Sequence, residues 1–136
     1  MAYWLLKSEP DVYSWDDLVR DGRTVWDGVR NNTALIHIRR ARKGDQALVY
    51  HTGGVRAAVG IARLISDPYA DPKFDDPKLA VFEIEPVRPL AKPVTLEAVK
   101  ARPDLAGWDL IRLGRLSVVP VSAVQWQAVL AMGGGK

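Results

Sequence analysis

Residues 26–31, Trp-Asp-Gly-Val-Arg-Asn, set a flat ring, a carboxylate, a glycine, a guanidinium and an amide side by side. That set suits a nucleobase. Trp26 offers a π-face, Arg30 a planar fork of donors, and Asn31 both a donor and an acceptor for a base edge. Gly28 permits a tight backbone path or a positive φ. A helix beginning here would add free backbone N–H groups. The same residues also suit a capped helix entry with Trp26 in the core, and on this stretch alone that simpler reading stands ahead.

Three other clusters carry chemistry. Tyr50-His51-Thr52 precedes Gly53-Gly54, and His51 changes charge near neutral pH, so it suits a general base or a ligand contact. No G-x-S-x-G elbow or H-E-x-x-H element accompanies it. A structural or ligand-contacting histidine is therefore favoured over a catalytic one. Lys7-Ser8-Glu9 follows an apolar run and puts three polar side chains at a strand end, where Pro10 also reads as an ordinary breaker. Arg39, Arg40, Arg42 and Lys43 suit phosphate contacts with salt-dependent binding, or simply complement a helix C-terminus. Asp67, Asp71, Asp75 and Asp76 lack calcium-loop spacing and are interrupted by prolines, so they read as solvated turn acids.

Composition narrows the classes. A chain of 136 residues, 48% apolar and 26% charged, suits one globular domain with its own core. We assign it to 1–133, with 134–136 as a flexible tail. The absence of cysteine excludes disulfides, thiolate metal sites and thiol catalysis. Two histidines, His37 and His51, are too few for a histidine-rich metal centre, so no metal or cofactor is expected. The opening MAYWLLKSEP is apolar only briefly, so neither a secretory signal nor a membrane span is expected. The chain is read as a cytoplasmic monomer. A net charge of +3 permits a polyanion partner without requiring one. Five tryptophans (Trp4, Trp15, Trp26, Trp108, Trp126) leave some for the core and some for a ligand.

The elements that must position these groups follow from periodicity and caps. AYWLLKS reads as a first buried strand. SWDDLVRDG is a short helix with Ser14 as N-cap, Asp17 three residues on and Gly22 past its end. A second helix spans about 31–40, with Leu35 and Ile38 on one face. QALVYHT and RAAVGIARLIS form a hairpin across Gly53-Gly54, and Gly60 marks a bulge or a close approach. Three Asp-Pro pairs make 66–78 an irregular loop. LAVFEIEPVRPL is a half-buried strand, VTLEAVKA a helix capped by Thr95, and GRLSVVPVS the last strand. Ser122 and Gln125 box the C-terminal helix. Short strands mixed with short helices, without regular βαβ alternation, predict an α+β fold: a small mixed barrel with helices packed around it.

Taken together, YWLLKSEPDVYSWDDL, VWDGVRNN, KGDQALVYHT, VGIARLISDPYADP, FEIEPVRPL and RLSVVPVS resemble the EVE domain family of the PUA-like superfamily, the family of thymocyte nuclear protein. The resemblance covers nearly the whole chain. It implies a PUA-like pseudobarrel with a pocket similar to that of YTH domains, which read methylated adenine. It further implies binding of a modified base, notably a modified cytosine such as 5-methylcytosine in DNA. Trp4, Lys7, Ser8 and Glu9 match the family's opening motif, and Trp26, Asp27, Gly28, Arg30 and Asn31 its second. Tyr50, His51 and Thr52 match the strand-end motif, with Thr52 where serine is frequent, and Arg115, Leu116 and Ser117 the late one. A long basic N-terminal extension of nuclear members is lacking, so a nuclear role is not implied.

The expected function is thus a non-enzymatic reader. A flipped base is stacked on tryptophan and its edge read by Ser8, Asn31 and residues 50–52. Arg30 and the 39–43 cluster hold phosphates. The alternatives are an RNA-binding PUA-like module, a small nucleotide-processing hydrolase using His51 with Glu9 or Asp27, and an interaction module acting on a nuclease or an RNA enzyme.

Overall fold

Trp4, Leu5 and Leu6 are consecutive and all buried, so the first strand, β1 (Tyr3–Ser8), is covered on both faces. Such a strand must lie inside a sheet. The computed structural model of the chain, which describes residues 1–134, places it between β3 (Gln46–His51), in parallel, and β7 (Val118–Val121), antiparallel. Of the tail expected at 134–136, residues 135 and 136 lie outside the described residues. Among the described residues one curled sheet runs in the order β2-β6-β4-β3-β1-β7. Here β2 is Thr24–Trp26, β4 Ala57–Leu64 and β6 Ala80–Thr95. A two-residue β5, Tyr69–Ala70, pairs with β6 inside the loop expected to be irregular. The mixed half-barrel with short helices is the α+β architecture expected from the sequence, a small mixed barrel with helices packed around it.

The helices begin where their caps demand. α1 (Trp15–Asp21) starts at a complete Ser14–Asp17 capping box and stops at Gly22, with φ 75°. α2 (Asn32–Arg40) is capped by Asn31, whose side chain accepts from the Ala34 N–H at 3.0 Å. Thr95 caps α3 (Leu96–Lys100), and a Ser122–Gln125 box opens α5 (Ala123–Met132). Two helical elements escape the sequence reading. A 3₁₀ turn at Pro103–Leu105, announced locally only by its first-position proline, and α4 (Asp109–Arg112) have no side-chain cap. β2 is three residues long and becomes a strand only by pairing with β6, Trp26 opposite Phe82.

β6 runs further than the alternation suggests, through Pro86, Pro89 and Pro93 to Thr95. Proline cannot donate to a ladder. The β4–β6 pairing accommodates this with register shifts between Ala58 and Gly60 and between Ile61 and Ala62. These bends curl the sheet around Leu5, Leu48, Phe82 and Ile84, all fully buried. β7 covers only the VVPV part of its expected segment.

One buried carboxylate ties the strand starts together. Asp45 accepts from the Ala2 N–H (3.0 Å), the Trp4 Nε1–H (3.0 Å) and the Arg42 N–H (2.9 Å). Across the sheet, Gly60 lets the Trp15 ring lie on the strand: a Cβ there would stand 2.6 Å from ring carbons. Gly60→Ala forces the indole or the strand to move, and overpacking of this kind costs about 1–3 kcal/mol. A lowered denaturation midpoint at unchanged m-value in urea is the expected result.

Candidate nucleic-acid interface

Because β1 and β3 run parallel in register, Ser8 opposite His51, both polar strand-end motifs emerge at one end of the sheet. The Thr52 N–H donates to the Ser8 carbonyl at 2.9 Å, which continues the ladder one step beyond the strands. The chain then folds back over this end. The Ser8 hydroxyl donates to the Tyr13 carbonyl. The Trp15 N–H, first in α1, donates to His51 Nε2 at 3.0 Å.

A cavity of about 590 Å³ opens beside these strand ends. One wall is Lys7, Ser8 and Glu9 with Ser117, and the other is β2 with the turn through Arg30. Its volume is that of an ordinary small-ligand pocket. Trp26 is 8% exposed and forms part of the wall. Its indole N–H meets no acceptor among the described residues, and no sealed side-chain polar atom among them lacks a partner. That N–H therefore reaches solvent. Gly28, with φ 76°, turns the chain between Trp26 and the Asn31 cap. The turn is braced from outside by the proline-rich loop. Lys73 Nζ lies 3.1 Å from Asp27 Oδ2, and the Arg30 guanidinium sits 4.4 Å from the Phe74 ring centroid.

A second cavity of about 480 Å³ adjoins the first and shares Lys7 and Glu9 with it. Tyr50, Thr52, Arg56 and Arg115 line it. Lys7 Nζ donates to the Gly114 carbonyl at 2.8 Å and stands 5.8 Å from the Tyr50 ring centroid. Burial of its amine, and then the nearby Arg56 charge, lower the Lys7 pKa below the ordinary lysine value.

The sequence candidates thus separate into groups. Lys7, Ser8, Glu9, Trp26, Asp27, Arg30 and Ser117 share the first cavity, while Tyr50, Thr52 and Arg115 line the second. Asn31 and Leu116 border a shallower hollow with Arg115, and the Asn31 carbonyl oxygen is engaged as the α2 cap. Trp4 lines none of these spaces. It lies near the start of β1, four residues before Ser8, with its N–H on Asp45 and its ring tilted against His37. Arg39, Arg40, Arg42 and Lys43 likewise lie at the other end of the sheet. α2 carries them about 13 Å from its Asn31 end, at nine residues and about 1.5 Å per residue. There Arg39 and Arg42 border a separate hollow with Tyr69.

His51 lines neither cavity. Burial lowers its pKa, partly offset by Asp16, and its Nε2 lone pair is engaged by Trp15. A base whose lone pair is already engaged is poorly placed for proton abstraction, and Asp27 is paired with Lys73. The described residues hold no cluster of His, Asp or Glu suited to a metal ion, and Asp71 accepts from the Lys73 N–H. No helix among them is long and apolar enough to cross a membrane. Tyr13, Thr24 and Arg56 border the cavities and were not singled out from sequence. Arg56 sits just past Gly53-Gly54, and a cation beside YHT was the available signal. Lys73 and Phe74 had none, since only the tertiary fold brings that loop to Asp27 and Arg30.

These features describe a curled mixed sheet of the PUA-like kind with a cleft of small-ligand size at its strand ends. The chain belongs to the EVE domain family, whose model matches residues 2–132. It is 27% identical to rat thymocyte nuclear protein 1 over 96% of this chain and 73% of that protein. An NMR structure of a Rhodopseudomonas palustris protein superposes with a TM-score of 0.94 at 46% identity, covering 98% of this chain and 94% of that one. Human thymocyte nuclear protein 1 in complex with DNA containing 5-methylcytosine superposes at 0.91 with 24% identity, over 100% and 99% of the two chains. The YTH domain of Zygosaccharomyces rouxii MRB1, solved with N6-methyladenosine RNA, superposes at 0.57 with 12% identity, over 96% and 85%.

The His51–Trp15 bond predicts a pH dependence of stability. The bond needs neutral imidazole, and the folded pKa is depressed below the ordinary 6.5. Above that value both states are neutral and the bond contributes in full. As pH falls through it, the unfolded chain binds protons first and stability is lost. Melting temperature should drop from about pH 7.5 to about pH 5.5. His51→Gln should remove part of that slope, leaving the share of His37, whose pKa is also lowered.

Proposed function

We propose that this chain is a non-catalytic reader of a modified nucleobase, acting as a monomer, with a modified cytosine in DNA as the favoured ligand. The observation that carries the reading is the cavity at the strand ends. It is of small-ligand size, walled by Trp26, whose indole N–H has no partner among the described residues, and bordered by Ser8, Asp27 and Ser117 as hydrogen-bonding groups. The likeness to a human protein crystallised with 5-methylcytosine DNA supports the choice of ligand.

A base within a duplex cannot enter such a cavity, so it must be flipped out. Unstacking and unpairing cost a few kcal/mol, and contacts inside the pocket must offset them. Stacking against an aromatic ring contributes about 1–3 kcal/mol. The Trp26 N–H adds a donor toward the base edge, and the Asp27 carboxylate adds an acceptor suited to an exocyclic amine such as that of cytosine. The engaged lone pair of His51 speaks for a reader and against a hydrolase. The likeness to a YTH domain solved with methylated RNA makes an RNA ligand the second reading.

The test is a binding panel of oligonucleotides, in DNA and in RNA, carrying cytosine, 5-methylcytosine, 5-hydroxymethylcytosine or N6-methyladenine. The expected result is a preference for one modified cytosine in DNA, with no product formed on prolonged incubation. Trp26→Ala, shown by its melt to be folded, should lose about tenfold or more in affinity for the preferred base. Full affinity in that folded variant would remove Trp26 from the site. Turnover abolished by His51→Ala would replace the reader with an enzyme.

A further inference from the structure

The second cavity collects positive charge that the protein does not neutralise. Arg20, Arg23, Arg63, Arg102 and Arg112 each reach a carboxylate. Arg56 and Arg115 have no such partner among the described residues. Lys7, the third cation, donates to a backbone carbonyl and not to an acid. Against these three stands Glu9, which is exposed at the rim shared with the first cavity. The repulsion is felt within the site, since the Arg56 charge helps to lower the Lys7 pKa. Like charges gathered in a cleft raise the local potential and favour an anion there.

The backbone around these cations is fixed. The Leu96 N–H donates to the Arg56 carbonyl at 2.9 Å, and the Gly114 carbonyl, one residue before Arg115, accepts from Lys7 Nζ. The cluster at the other end of the sheet differs. There Arg39 donates to the Lys78 carbonyl, and Arg42 to the Arg39 and Ala41 carbonyls, so part of those two donor forks is already engaged, while Arg40 and Lys43 reach no carboxylate among the described residues and line neither strand-end cavity.

We propose that the Lys7–Arg56–Arg115 cleft is the phosphodiester-binding site of this protein, and that it holds the nucleic-acid backbone beside the base cavity. The two arginines bind phosphate oxygens, and the Thr52 hydroxyl is a further donor on the same wall. Lys7, on the ridge between the cavities, sets the distance between the bound phosphate and the base. The inference rests on the reading above for where the base lies; the anion site itself is tested without any modified base.

Binding of an unmodified single-stranded DNA oligonucleotide is measured by fluorescence anisotropy across a salt series. Wild type, Arg56→Ala, Arg115→Ala, the double variant and an Arg39→Ala/Arg42→Ala control are compared. Each phosphate contact contributes about 0.7 to the slope of log K against log salt for a single strand. Arg56→Ala and Arg115→Ala should each lower the slope by about that amount, Arg56→Lys and Arg115→Lys should retain it, and the control should match wild type. An unchanged slope in the double variant, or a loss confined to the control, overturns the proposal, as does salt-independent binding by wild type. A second arm compares 5-methyl-2′-deoxycytidine with its 5′-monophosphate. The phosphate should tighten wild-type binding about tenfold, and the double variant should lose that gain while its affinity for the nucleoside is kept. Normal salt slopes without any preference for a modified base would sink the base reading and leave the anion site standing.

Discussion

The parallel pairing of β1 with β3 is the constraint on which the rest of this structure depends. Parallel neighbours cannot be joined by a tight turn, so the chain between them must leave the sheet and return. Residues 9–45 make that excursion, through α1, β2 and α2. On the way they lay β2 on the far edge, beyond β6, β4 and β3 in pairing order. In a flat sheet, the end of β1 and the turn after β2 would be separated by the width of those strands. They share one cavity because the sheet curls, and the curl follows from register shifts along the β4–β6 pairing and from the prolines of β6. The site is therefore a property of the sheet's curvature as much as of its side chains.

α1 keeps that curvature and the site in step. Its Trp15 ring occupies the space left by Gly60 in β4, while its first N–H is held by His51 at the end of β3. One residue thus connects the middle of the sheet to the strand ends where the cavities open. His51, read from sequence as a structural or ligand-contacting histidine in preference to a catalytic one, accepts the first N–H of α1. It fixes the start of the helix that closes over Ser8. The loop bearing Lys73 and Phe74 braces the opposite wall in the same sense, by holding Asp27 and Arg30 from outside.

What could be read from sequence was whatever local rules enforce. Ser14, Asn31, Thr95 and Ser122 announce their helices, because an N-cap is satisfied within a few residues of itself. Gly60 announced a close approach but not the identity of the ring above it. β2 and α4 were not legible, since one exists by pairing with a strand over fifty residues later and the other has no cap. The tryptophans were equivalent in sequence and are not in the fold. Trp4 and Trp108 place their N–H groups on Asp45 and Pro120, and Trp126 stacks on Tyr3. Sorting cavity residues from core residues needed the curl, which no local pattern encodes. The same holds for charge: a run of cations at 39–43 is conspicuous in sequence, whereas Lys7, Arg56 and Arg115 are scattered and converge only in three dimensions.

The stretch from Thr24 to Asn31 shows why the structural and functional readings of such a motif need not compete. Thr24–Trp26 is an edge strand, Gly28 is a turn that only a positive φ allows, and Asn31 is a helix cap. Each is an ordinary folding device. Yet the strand pairs with β6 so that Trp26 forms a wall with its N–H open, and the turn sets Asp27 and Arg30 at the mouth. A ligand wall built from such devices is rigid before any ligand arrives, so little ordering cost is left for binding. That preorganisation suits recognition by stacking and by a base edge, where displacement of a donor by about 1 Å loses the hydrogen bond.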